Sequence, residues 1–233
     1  MRLIKSLKLR PLKRDKVDSL RDDRLFIVAC DDTYAPDQYF YFFKIPRVQV
    51  HVVPTAKDEH RCHAIDVLQR LETFEYEEDD ERWMLLDTDH YVNGPHIKEF
   101  NRIIKEAEEK GISVALSKPC FELWLLLHHA DNETVTELVD ANAVERALRG
   151  ILGEYNKKRL KREHYPLEAV VNAYIQAKAL DEIVNGGRIP QTNTTRVYQL
   201  LESIVAKALS SELHPELAAL QELLKRMRNR GQK

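Results

Sequence analysis

A chain of 233 residues that is 43% hydrophobic can bury one sizeable core with a helical appendage, and its 7 glycines and 9 prolines are too few for a loop-rich or disordered protein. A net charge of −2 gives no global field to recruit nucleic acid or membrane, so any basic surface must be local. Cys30, Cys62 and Cys120 are widely spaced and odd in number, which suits reduced thiols. No apolar run approaches the roughly 20 residues of a membrane span, and the basic N-terminus lacks a signal peptide's apolar stretch. The expectation is a soluble cytoplasmic protein with no membrane role.

Four short apolar runs punctuate the first half: RLFIVAC (24–30), RVQVHVV (47–53), RWMLLD (82–87) and ISVALS (112–117). Runs of this length, apolar on both faces, predict strands of a parallel sheet covered on both sides. Helical spacing recurs between them. Residues 60–74 carry Ala64, Val67, Leu68 and Leu71, and residues 96–110 carry Ile97, Phe100, Ile103, Ile104 and Ala107 before a C-cap glycine, Gly111. Alternating strands and helices predict an α/β sheet. After residue 117 the strand signal stops. CFELWLLLHH (120–129) predicts a buried helix, and 133–156, 165–184, 191–209 and 212–229 predict further helices. The expected organisation is a basic N-terminal arm (1–22), an α/β core (23–130) and a helical C-terminal region packed on it (131–233). The acidic stretch ETFEYEEDDE (72–81) reads as a solvated connection.

In an open parallel sheet, ligands bind beyond the carboxyl ends of the strands. Two such ends are acidic here: Asp31-Asp32 after the first strand, and Asp87 and Asp89 after the third. Asp87 and Asp89 share a face on strand geometry. Converging carboxylates repel unless a cation lies between them, and Mg²⁺ (or Mn²⁺) is the natural ion, keeping waters for a phosphate-bearing substrate. Aspartates that merely cap the following turns would give the same pattern.

Taken together, the motifs resemble the RloB family. FIVACDDTYAPDQYF is similar to the family's strand followed by Glu-Gly-Glu-x-Thr-Glu-x-x-Tyr-Phe, and LLDTDHY is similar to its Asp-x-Asp element. SKPCFELWLLLHH nearly reproduces its Ser-Asn-Pro-Cys-Phe-Glu-Leu-Trp-Leu-Leu-Leu-His signature, the most specific of the matches. A Tyr-x-Lys-Lys element at Tyr155–Lys158 and QTNTTRVYQLLESI follow in family order, so the resemblance covers about residues 24–206. It implies a Toprim-like fold: a small parallel sheet flanked by helices, then a helical C-terminal region. A Glu and an Asp-x-Asp there hold Mg²⁺ for phosphodiester chemistry. It also implies an ABC- or SMC-like ATPase encoded nearby and a role in antiphage defence by abortive infection.

The chain departs from that pattern in its first motif. Asp31 stands where the family has its first Glu, Asp32 for the Gly, Ala35 for the Thr and Pro36 for the second Glu. One carboxylate survives, a methylene shorter, and the second is gone. The resemblance assigns Asp31, Asp87 and Asp89 to the metal or the attacking water, with Glu122 and His90 in support. Glu122, in an otherwise apolar helix, is either part of the acidic site or a first-turn charge with a local hydrogen bond. His90 either meets a phosphate or caps a turn. Cys120 reads as packing. Lys157, Lys158, Arg159, Lys161 and Arg162 form a local basic patch, either a docking site for RNA or DNA phosphates, with Tyr155 and Tyr165 stacking on bases, or a solvated helix end. The expected function is a Mg²⁺-dependent nuclease, with self-association left open. The other reading is a catalytically degenerate binding or sensor subunit of the ATPase complex.

Overall fold

The structure, a computed structural model, describes residues 24–55, 63–89, 91, 96–184 and 187–231. The expected N-terminal arm, Cys62 and His90 lie outside these residues.

Five strands form one sheet in the order β2-β1-β3-β4-β5: β1 (Arg24–Cys30), β2 (Val48–Val52), β3 (Glu81–Asp87), β4 (Ser113–Lys118) and β5 (Thr194–Thr195). The first four are parallel, with Val28 opposite Val52, Cys30 opposite Leu85 and Asp87 opposite Ser117; the central β1 and β3 are apolar on both faces, whereas the edge strand β2 alternates Val with Gln49 and His51 and is half-buried. The fifth is antiparallel to β4, Thr195 facing Ser117.

Side-chain alternation sends each strand's residues to two cores. Phe26, Val28, Cys30, Trp83 and Leu85 join one core, with α1 (Tyr34–Tyr41) and the C-terminal helices; Leu25, Ile27, Ala29, Met84 and Leu86 join the other, with α2 (Ala64–Thr73) and α3 (His96–Glu109). The α3 face shows why: Phe100, Ile103, Ile104 and Ala107 recur at one helical spacing and are all buried. Burying each large side chain contributes about 1.5–3 kcal/mol, so Ile104→Asp would unseat the helix. Gly111 ends α3 at φ 69°, with the Ile112 amide donating to Ala107 O at 2.9 Å, the cap its position predicts.

The chain runs from β1 through α1 to β2 on one side, then through α2 to β3 on the other side of β1. That reversal puts the topological switch point between the carboxyl ends of β1 and β3. The α/β class, the parallel sheet flanked by helices and the helical C-terminal region all match the Toprim-like expectation.

Four local expectations need correction. The α1 helix was not anticipated. Pro36 sits in its first turn, where a missing N–H costs nothing. The buried segment 120–129 is helical only over α4 (Glu122–Leu126), with turns following it. The expected 133–156 helix is two, α5 (Asn132–Thr136) and α6 (Ala141–Leu152), because the Asp140 side chain accepts from the Ala143 amide at 2.7 Å and starts a new helix. The expected helix at 191–209 is α8 (Val197–Lys207), preceded by β5. The remaining helices are α7 (Leu167–Val184) and α9 (Pro215–Gly231).

Candidate functional site

The acidic residues expected at two strand ends meet at the switch point. Asp31 is the first residue beyond β1, and its carboxylate accepts the amides of Asp87 at 2.8 Å and Asp32 at 2.9 Å. It thereby ties the end of β1 to the end of β3. Asp87 continues the Trp83–Leu85 parity toward the face carrying α4, where the Phe121 amide donates to its carboxylate. Two residues on, the exposed Asp89 is fixed through its amide, which donates to Pro119 O at 3.2 Å.

Glu122, the first residue of α4, is buried. Its partner comes from the C-terminal half: the Tyr155 hydroxyl donates to Glu122 Oε1 at 2.8 Å. Of the two readings open for Glu122, the structure gives both: a buried place beside the acidic edge, and local hydrogen bonds from its own amide and Cys120 alongside the one from Tyr155. Two positions later Lys157 makes an ion pair with Asp32. The Tyr155–Lys158 element therefore reaches back onto the first acidic motif. On the far side of β1, Arg70 of α2 donates to Cys30 O and to Thr55 Oγ1.

Burial, reinforced by neighbouring carboxylates, raises the carboxyls of the cluster. Burial raises the Asp31 carboxyl to about 6, with Asp32 and Asp89 adding to the rise against the lowering of its two backbone donors. Burial also raises Asp87 well above the usual carboxylate range, reinforced by Asp31, Glu122 and Asp89. Glu122 is raised by burial too, with the Tyr155 hydroxyl opposing. Buried thiols at Cys30 and Cys120 are pushed up, the opposite of an activated nucleophile, so Cys120 is packing.

The basic run divides. Lys157 and Lys161 are tied to Asp32 and Glu154, whereas Lys158, Arg159 and Arg162 are exposed and make no ion pair among the described residues. The expected stacking tyrosines are not available. Tyr165 is buried against Tyr39 and His128, and Tyr155 is turned to Glu122. Sequence reading missed Tyr155 and Lys157 as partners of the acidic site. The signal was there: a buried glutamate requires a donor, and Tyr155 is the first residue of a Tyr-x-Lys-Lys element.

A family model described as RloB-like protein matches residues 26–204. The chain belongs to the RloB-like family. Neither a curated protein nor a solved structure matches it. In this RloB-like protein the matched span includes both acidic strand ends, Glu122 and the Tyr155–Lys158 element.

Among the described residues, no group of three or more His, Cys, Asp or Glu side chains is arranged to hold a metal ion. The donor chemistry nevertheless fits a hard divalent cation: the oxygen ligands are all carboxylates, and their mutual repulsion is what a cation would relieve. Asp31, Asp87 and Asp89 are the residues that would hold such an ion. Among the described residues no helix is long and apolar enough to cross a membrane.

Proposed function

We propose that this RloB-like protein is a Mg²⁺-dependent (or Mn²⁺-dependent) nuclease hydrolysing phosphodiester bonds of RNA or DNA. In this reading it is an effector of antiphage defence in the cytoplasm, working with an ABC- or SMC-like ATPase. The observation that carries the reading is the Asp31–Asp87 link at the switch-point crevice, inside a carboxylate cluster in which Lys157 pairs with Asp32. A bound metal would neutralise charge developing on the scissile phosphate and position the attacking oxygen. The chain supplies the rest. Asp31, immobilised by two backbone donors and with its proton affinity raised, is placed to hold the ion or to accept a proton from water. Lys157 offers a cation that can pass from Asp32 to an incoming phosphate. Tyr155 keeps Glu122 in place beside Asp87.

A second reading, a non-catalytic nucleic-acid-binding or sensor subunit, is favoured by one feature. Pro36 replaces the family's second acid and is buried in α1, and Asp32 is already paired with Lys157. Cleavage of total RNA and plasmid DNA, with Mg²⁺ or Mn²⁺ and with EDTA, separates the two, run alone and with the adjacently encoded ATPase. Metal-dependent products that vanish in Asp87→Asn support the nuclease. No products under any of these conditions, with binding intact, would leave the binding subunit.

A further inference from the structure

The outward side of α1 carries aromatic surface that the core does not explain. Ala35, Pro36, Tyr39 and Phe40 are the buried residues of this helix, yet Tyr34 is 51% and Tyr41 72% exposed. Seven residues apart, they share one side of the helix about 10 Å from each other along its axis. Each carries a lysine over its ring: Lys158 Nζ lies 4.7 Å from the Tyr34 centroid and Lys44 Nζ 5.6 Å from that of Tyr41. Lys44 and Lys158 are exposed and make no ion pair among the described residues.

The inner ring is held at the acidic edge. The Tyr34 amide donates to Asp32 Oδ1 at 3.0 Å, and Asp32 is bonded to Asp31 through its own amide. Gln38 ties the backbone of α1 to the segment that carries Lys158, since its Nε2 donates to both Tyr34 O and Lys157 O at 2.7 Å while its Oε1 accepts the Leu160 amide at 2.8 Å. Two aromatic faces, each with a movable cation, therefore run in a line away from the acidic crevice.

We propose that Tyr34 and Tyr41 are a stacking platform for unpaired bases of a single-stranded nucleic acid whose backbone passes into the acidic edge. The inference rests on the nucleic-acid reading of that edge and adds the substrate class. Only unpaired bases present faces to flat rings, and base–aromatic stacking tolerates any sequence because every base has a π-face. Lys158 and Lys44, on flexible stems, leave the rings for the phosphates of the nucleotides that stack there. The exposed Asp37 between the tyrosines repels phosphate, so the strand meets this helix through its bases.

The test is anisotropy of a dye-labelled single-stranded RNA and of the same sequence as a duplex, titrated with the full chain in EDTA so that nothing is cut. Tyr34→Ala and Tyr41→Ala should each weaken single-strand binding roughly tenfold and leave duplex binding unchanged. Tyr34→Phe and Tyr41→Phe should bind like the wild type, because the ring and not the hydroxyl acts. Tyr76, 49% exposed with Arg82 stacked 3.9 Å from its centroid, lies before β3 at the opposite end of the sheet, so Tyr76→Ala should bind like the wild type. Alanine variants that bind single strands as tightly as the wild type would overturn the platform and leave the two rings to a protein partner. Wild type that binds single strands in EDTA, yet cuts them with neither Mg²⁺ nor Mn²⁺ in the cleavage assay, would sink the nuclease and leave the platform standing.

Discussion

The Tyr155 hydroxyl donates to Glu122 across 33 residues of chain, at 2.8 Å, and so couples the C-terminal half to a buried carboxylate beside Asp87. Removing this donor should leave that carboxylate with only its own amide and Cys120 as partners. Tyr155→Phe is expected to cost about 1–3 kcal/mol, the range for leaving a buried polar group unsatisfied. The cost should shrink in a Glu122→Gln background, where the group that loses the donor carries no charge. Urea denaturation of the four proteins in the double-mutant cycle reads the coupling; equal costs in both backgrounds would show that Tyr155 acts through packing alone.

Asp87 is expected to destabilise the metal-free protein at neutral pH. Its carboxyl is raised in the folded state, so folding favours the protonated form, and stability is lost as pH rises from the unfolded carboxylate range through the folded value. Asp87→Asn, with an amide oxygen still able to accept from Phe121, should therefore be more stable than wild type at pH 8 in EDTA, and the gain should fade toward pH 4. The same variant should lose the stabilisation that Mg²⁺ confers on wild type, about 2.7 kcal/mol at 100 times the dissociation constant. Thermal melts with and without Mg²⁺ at both pH values decide it, and a wild type indifferent to millimolar Mg²⁺ would contradict a metal site.

The basic run should act through some of its members only. Lys158→Ala, Arg159→Ala and Arg162→Ala should each lower the log–log salt slope of nucleic-acid binding by roughly 0.7 for single strands or 0.9 for duplex. Lys161→Ala, whose charge is tied to Glu154, should leave the slope unchanged. Folding should be unaffected, since exposed charges contribute about 0–1 kcal/mol. Unchanged slopes in all four would reduce the run to a solvated surface.

His128 should make the protein acid-sensitive. Its ring is buried and neutral: Nδ1 donates to Trp124 O at 2.9 Å, leaving Nε2 to accept from the Tyr39 hydroxyl at 3.0 Å. Burial lowers its pKa to about 3, so its contribution is complete above the unfolded value and is lost as pH falls from 6.5 toward 3. His128→Gln should be less stable at pH 7.5, but the gap should close by about 1.4 kcal/mol per pH unit below 6.5. A gap that stays constant from pH 7.5 to 4.5 would mean that His128 becomes protonated without unfolding.

The central strands β1 and β3 were legible because two-sided burial leaves continuous apolar runs, β2 through its recurring valines, and the two acidic strand ends because such runs stop abruptly at Asp31 and Asp87. Helices that bury one stripe, such as α3, were equally plain. The short α1 was hidden because its buried residues are mixed with exposed Tyr34, Asp37 and Tyr41 over barely two turns. β5 was hidden for a different reason: a two-residue strand has no periodicity to read, and its pairing is decided by β4. In the site, the carboxylates could be found singly, but their partners Tyr155 and Lys157 sit more than thirty residues from Glu122. A sequence states that a buried charge needs a donor without stating which one.

The fifth strand has a consequence for how the chain is made. It pairs with the last two residues of β4, Ser117 and Lys118, with Arg196 N bonded to Leu116 O at 2.8 Å and Ser117 Oγ to Thr195 Oγ1 at 2.8 Å. The end of β4 at Lys118 and the start of β5 at Thr194 are separated by 75 residues, 119 to 193. At 5–20 residues per second, a ribosome takes roughly 4–15 s to cross that interval. Throughout it, the nascent sheet shows an uncovered strand edge, a ready template for pairing with the same edge of a neighbouring nascent chain. Polysome crowding and premature termination before residue 194 therefore raise the aggregation hazard at the end of β4, which falls once Thr194 and Thr195 have been translated and paired.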